Sequence, residues 1–258
     1  MPLDDGARHV RAFLVRGMVC GLVAGLLAFA FATIYGEPQI GHALVFEAQI
    51  QRASGVAADP EIYSRAVQST VGLLTAVAAI AAADGGLFGL AFAMAYGRCG
   101  AVRPRVLGLL VAAAAFVTTV IVPAMKYPAN PPSIGEAATI GHRTELYFSL
   151  IALSLVAMLL AIVVGRALAA SVGSWNASLA GGGVFIVSIF LVQLLLPTVD
   201  ETPARFSADV LWHFRVAGLE TQAIIWATIG LLFGALTERD ARRDVASSTR
   251  ATGFGYSP

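Results

Sequence analysis

PAMKYPANPPSIGEAATIGHRTELY, residues 123–147, separates two apolar runs that are each long enough to cross a bilayer. Its four prolines and two glycines rule out one continuous helix, because proline lacks the backbone N–H and its ring clashes with the preceding turn. Backbone polar groups at the edge of hydrocarbon need partners, so the stretch reads as an ordered, non-helical connection. Lys126, Glu136, His142, Arg143 and Glu145 crowd it, whereas the flanking runs carry almost no charge.

Outward from this connection, residues 106–125 and 146–167 read as spans three and four, and four more runs, 13–35, 70–96, 179–196 and 217–236, have the length and apolarity of membrane helices. The whole chain agrees: 57% of its 258 residues are apolar, 13% are charged and the mean hydropathy is +0.76, values of an integral membrane protein. The expected fold is therefore an all-α integral membrane protein, a bundle of six transmembrane helices with short interfacial helices in the outer loops. Residues 1–12 form an N-terminal tail and 239–258 a polar tail whose Ser/Thr/Gly-rich end reads as disordered. Arg8, Arg11 and Arg16 before span one also suit a signal peptide, but the apolar run exceeds the usual length and is expected to stay as a span. Gly17, Gly21 and Gly25 recur every four residues, so one face of that helix admits a close neighbour.

The net charge is +1 and no Lys/Arg cluster is dense enough to suggest nucleic acid, so partners are sought in the membrane. Cys20 and Cys99 have neither the number nor the placement of a disulfide or thiolate framework. Neither G-x-x-x-x-G-K-[ST] nor H-E-x-x-H nor a nucleophile elbow occurs, and no bound cofactor is implied, which argues against an enzyme.

Positive residues set the orientation. The N-tail, the loop holding Arg98, Arg103 and Arg105, the turn at Arg166 and the C-tail carry eleven of the seventeen Lys and Arg residues, so both termini are expected in the cytoplasm. That places His42, His142 and His213 in or near the three outer connections, among Glu37, Glu47, Glu136, Glu145, Asp200, Glu201, Asp209 and Glu220. One histidine per connection with carboxylates nearby could close into a nitrogen and oxygen site for a divalent transition metal such as cobalt, nickel or zinc. The opposing reading is a set of solvated interfacial residues. Asp84, beside Gly85 and Gly86, is the acidic residue deepest in a span and a candidate coupling or gating group, since a carboxylate there is costly unless paired or neutral.

Three segments, GEPQIGHALVFE (36–47), VPAMKYPANPPSIGEAATIGHRTELY (122–147) and LPTVDETPARFSADVLWHFR (196–215), lie in this order between the apolar runs. Together they resemble the cobalt transporter subunit CbtA family, and the KYPANPP block is the specific part. The resemblance implies a multi-pass protein of the bacterial inner membrane that imports cobalt for cobalamin synthesis with a small, single-span, histidine-rich CbtB subunit. On this reading His42, His142, His213, Glu37, Glu47 and Glu201 collect metal at the outer face. The alternatives are a nickel or other divalent-cation permease subunit, a membrane-embedded enzyme using Asp84, and a membrane assembly subunit that transports nothing.

Overall fold

The computed structural model describes residues 2–55 and 62–253, and every regular element among them is helical. Asp59 and Glu61 of the polar stretch after span one, and the last five residues of the tail, lie outside the described residues. Helix α1 (Pro2–Phe31) passes through a π-helical turn (Ala32–Gly36) into α2 (Glu37–Ser54), with Gly36 itself helical at φ −85° and ψ −48°. The helix expected as a separate interfacial piece thus continues span one. A short α3 (Arg65–Val67) and a second π turn (Gln68–Gly72) open α4 (Leu73–Ala95). Helix α5 (Pro104–Phe116) runs through a third π turn (Val117–Ile121) into α6 (Val122–Lys126). After the proline-rich connection and one 3-10 turn (Ala137–Thr139) come α7 (Ile140–Leu195) and α8 (Ala208–Gly253).

Two of the three π turns end two residues before a proline, Pro38 and Pro123. Proline supplies no N–H to the carbonyl one turn back and its ring needs room there; a widened turn just ahead of it provides that room without ending the helix. Nothing comparable explains the turn at Gln68–Gly72.

Five helical runs are long and apolar enough to cross a membrane: Arg8–Ser54, Arg65–Ala95, Pro104–Lys126, Ala137–Leu195 and Ala208–Arg243. Only 22–33% of the most apolar window of each is buried within the chain, which suits helices solvated by lipid. Where the sequence predicts spans four and five with a polar turn around Trp175 and Asn176, α7 is one run of 56 residues. At 1.5 Å per residue it would be about 84 Å long, far beyond a hydrocarbon core of roughly 30 Å. It does not run straight. Gly173, at φ 78° and ψ 159°, breaks the helical backbone in a conformation that residues with a Cβ rarely adopt. The two arms then pack on each other: a Cβ at Gly181 would stand 2.7 Å from the carbonyl oxygen of Ala161, and Ile189 shares a core with Leu150, Ala157 and Val122. A single glycine does the work expected of a loop.

The chain forms two compact units. In the unit drawn from Met1–Phe31, Ser64–Ala113 and Thr221–Pro258, α1 lies against α4 with backbone on backbone. A Cβ at Gly17 or Gly21 would overlap the carbonyl oxygens of Gly85 or Ala81, and one at Gly89 that of Phe13. The four-residue glycine spacing is the contact face itself, where dispersion between close backbones replaces a hydrophobic drive that lipid does not provide. Phe13, Phe88, Phe92 and Phe233 pack beside it, with centroids 4.8 Å apart for Phe92 and Phe233. Above these rings, 5.9 Å from Phe13 and from Phe233, lies the Arg16 guanidinium, which donates to Thr237 Oγ1 (2.8 Å) and pairs with Asp240. This pair, together with the burial of Thr237 and Glu238, holds α8 in helical form past residue 239, and the backbone stays helical to Gly253, where a disordered tail was expected.

The second unit, Ala32–Tyr63 and Ala114–Glu220, contains the α7 hairpin, α2, the start of α8 and the connection at Tyr127–Glu136. That connection is non-helical, as its prolines dictate, and is tied down at nearly every step. Lys126 Nζ donates to Gln193 O (2.6 Å) and Tyr127 Oη to Pro197 O (2.7 Å). Arg215 reaches Ala129 O (3.3 Å) and Asn130 Oδ1 (2.8 Å), and the Ser133 hydroxyl donates to Ala43 O (3.3 Å).

Gly17→Val drives a branched side chain into the Gly85 carbonyl, so unfolding stability of the detergent-purified protein is expected to fall by about 1–3 kcal/mol. Gly183→Ala, where a new Cβ meets nothing within 4 Å, is expected to be neutral. Thermal unfolding of the two variants side by side checks the pair.

Candidate functional site

Within the second unit, α2 and the first turns of α8 are held together by a small apolar cluster. Ala43, Ile134 and Phe206 are its buried members, with Phe46, Val210 and Leu211 packed against them. Phe46 and Phe206 meet edge to face at 5.0 Å and 79°. On α8 the chain enters through Ser207, whose Oγ accepts the Val210 N–H (3.4 Å) as an N-cap, and Asp209 follows in the first turn, where the helix dipole favours a carboxylate. Beside this cluster lies a cavity of about 430 Å³, lined by Gln39, His42 and Val45 from α2 and by Asp209, Val210 and His213 from α8.

His213 is oriented. Its Nδ1 lies 2.9 Å from the Asp209 carbonyl oxygen and 3.4 Å from Asp209 Oδ1. A carbonyl oxygen only accepts, so Nδ1 is the donor there and Nε2 is the ring nitrogen left to meet a ligand. A ring nitrogen tied back to a carbonyl or carboxylate is how metal-binding histidines are commonly set. His42, across the same cavity, is exposed. Among the described residues no three His, Cys, Asp or Glu side chains already stand together as a metal-holding group.

The other residues singled out from sequence fall elsewhere. Glu201 accepts the Glu136 N–H at 2.7 Å and lies 3.5 Å from Arg143 Nε, while Arg143 Nη2 donates to Glu136 O at 3.1 Å. The Thr139 hydroxyl, the Glu136 N–H and then the Arg143 charge hold its carboxyl below the usual carboxylate range. Gly135, at φ 104°, has the Arg143 guanidinium where a side chain would be, so a residue with a Cβ would break this tie. His142 is exposed in the first turn of α7, outside the cavity. Glu37 and Glu47 stand on α2, at its start and middle, and do not line the cavity either. Asp84 belongs to the other unit, half-buried on α4 one residue before Gly85.

A family model described as probable cobalt transporter subunit (CbtA) matches residues 10–238. The chain belongs to the CbtA family. No curated protein and no solved structure matches it. The match takes in every residue of the cavity, and membership of a probable transporter-subunit family agrees with the several long apolar helices of a multi-pass membrane protein. In this CbtA protein the cavity lining offers nitrogen and oxygen donors, two imidazoles with a carboxylate and an amide oxygen beside them, and no thiolate.

Sequence reasoning does not single out Gln39 or Asp209 as lining residues. The i, i+4 spacing of Asp209 and His213 on a helix is the signal that could have found the second.

Because the Glu201 carboxyl is favoured in its charged form by folding, its contribution to stability is full above the ordinary carboxylate pKa and is lost as pH falls through the lower folded-state value. Thermal unfolding between about pH 3 and about pH 7 is expected to show a loss of stability on acidification that Glu201→Gln flattens by lowering the neutral-pH value. Equal pH profiles for the two proteins would remove Glu201 from this role.

Proposed function

We propose that this CbtA protein imports cobalt(II), taking the hydrated ion as substrate at an extracytoplasmic cavity between His42 and His213 and passing it inward through a six-helix bundle. The observation that carries this is the His213 ring held by Asp209 with its Nε2 free, facing a cavity that His42 also lines. An ion entering here would exchange part of its water shell for two imidazole nitrogens, with Asp209 and Gln39 oxygens completing the shell. His142, Glu37 and Glu47 add outer-face donors and negative charge that raise the local cation concentration, and Glu201, already tied to the Glu136 N–H and Arg143, adds least.

The reversal of α7 at Gly173 supports six crossings rather than five, an even number that puts both termini on one side. The bias of Lys and Arg makes that side the cytoplasm, and the family resemblance, not the charge, suggests the bacterial inner membrane. Asp84, half-buried on α4 within an apolar span, is the proposed coupling or gating group. No nucleotide-binding motif occurs in the chain, so a partner or an ion gradient would drive transport, and a small, single-span, histidine-rich CbtB-like subunit is the proposed partner for metal delivery.

Uptake of radioactive cobalt at limiting metal, in cells lacking other cobalt importers and expressing the chain with the small subunit, tests this. His42→Ala/His213→Ala is expected to weaken apparent affinity at least about tenfold, and Asp209→Asn, which keeps the main-chain carbonyl that orients His213, to weaken it less, through loss of the carboxylate charge. His142→Ala is expected to have a smaller effect. Unchanged uptake in the double variant, with membrane insertion confirmed, would overturn the site. Equal competition by nickel would change the substrate, and no uptake with both subunits present would leave an assembly role.

A further inference from the structure

In the first unit a cavity of about 500 Å³ is lined by Arg105 from the start of α5 and by Arg239, Arg242 and Arg243 from α8. Its form follows from glycine. A Cβ at Gly108 would stand 2.9 Å from Gly230 O, and one at Gly234 would stand 2.9 Å from Arg105 Cα, so the two helices approach closely enough to bring Arg105 alongside the turn that carries the other arginines. Four guanidinium groups from two helices therefore face one concavity.

Charge balance there is incomplete. The one carboxylate in the lining, Glu238, is buried and already shared: Arg242 donates to its Oε1, and Arg105 Nε lies 3.6 Å from its Oε2. It fixes two of the arginines in place. Arg239 and Arg243, one turn apart and exposed, form no ion pair with another described residue. A buried carboxylate that orients two guanidiniums beside two that are unpaired among the described residues leaves the described lining with a surplus of positive charge that an anion would neutralise. Guanidinium forks match the oxygens of a phosphate group in geometry as well as charge.

The rest of the lining indicates what carries the phosphate. Ala235, Leu236 and Ala246 supply an apolar wall beside the arginines. Leu236 also ends the apolar stretch of α8, the level at which a helix leaves hydrocarbon for headgroups. Cations next to an apolar wall at that level suit a molecule with a charged head and an apolar tail. We propose that this cavity binds the phosphate group of an anionic phospholipid on the cytoplasmic side, with the acyl chain along Leu236. Basic pockets between membrane helices on that side are the usual form of such sites.

Native mass spectrometry of the full-length chain, purified in detergent and titrated with phosphatidylglycerol or with phosphatidylcholine of the same acyl chains, tests the proposal. Retention of phosphatidylglycerol well above phosphatidylcholine is expected. Arg239→Gln/Arg243→Gln breaks no ion pair among the described residues and should leave the fold intact while weakening phosphatidylglycerol binding about 30-fold. Arg239→Lys/Arg243→Lys should restore most of it. A parallel arm adds millimolar inorganic phosphate: displacement of the lipid by phosphate alone, or stabilisation by phosphate without lipid, supports the phosphate site and makes free phosphate its source. Equal retention of the two lipids, or phosphatidylglycerol binding that the Gln variant does not weaken while phosphate also has no effect, overturns the proposal.

Discussion

Backbone satisfaction in the connection after α6 is the constraint on which the second unit depends. Prolines at 128, 131 and 132 remove three N–H groups and forbid a helix, so the carbonyls of this stretch have few local donors, such as the Ile134 N–H to Pro131 O at 3.4 Å. Donors come from side chains far along the chain: Arg215 supplies Ala129, Arg143 supplies Glu136, and the Glu136 N–H finds its acceptor in Glu201. The segment returns the favour by donating to others, Tyr127 to Pro197 and Ser133 to Ala43. Burial raises the Tyr127 pKa, which keeps its hydroxyl protonated as a donor. Each tie fixes two segments at once, and the start of α8 is placed against α2 by the same set.

This arrangement gives the charged residues of the outer loops two different duties. Arg143, Glu201 and Arg215 hold backbone, and their charges are largely spent on that. His42, Asp209 and His213 are attached to the same scaffold but point their remaining capacity at a cavity. A loop carboxylate in a transporter is thus not by its type a metal ligand: Glu201, with an N–H and an arginine already on it, is less available to a cation than Asp209, whose carboxylate is open to solvent.

The first unit solves a different problem by different means. Its helices have little polar surface to pair and gain little from hydrophobic burial in lipid, so cohesion comes from backbone contact along Gly17, Gly21, Gly85 and Gly89 and from four phenylalanines. Arg16 enters this apolar setting because two aromatic faces, a hydroxyl and the Asp240 carboxylate replace its water.

The sequence by itself determined the helical membrane class, the non-helical character of residues 127–136 and the glycine face of α1. These are local properties: apolar length, missing N–H groups and residue spacing act wherever the chain goes. It also pointed to the histidines of the outer connections. Only the tertiary structure decided that one glycine, Gly173, reverses α7, that α2 continues α1, that α8 is anchored by Arg16, and which two of three histidines share a cavity. Those outcomes depend on contacts between residues from 20 to more than 200 positions apart, such as Ala161 with Gly181 and Arg16 with Asp240. Composition and periodicity record the demand of each segment for a partner. The packed chain alone shows which partner met it.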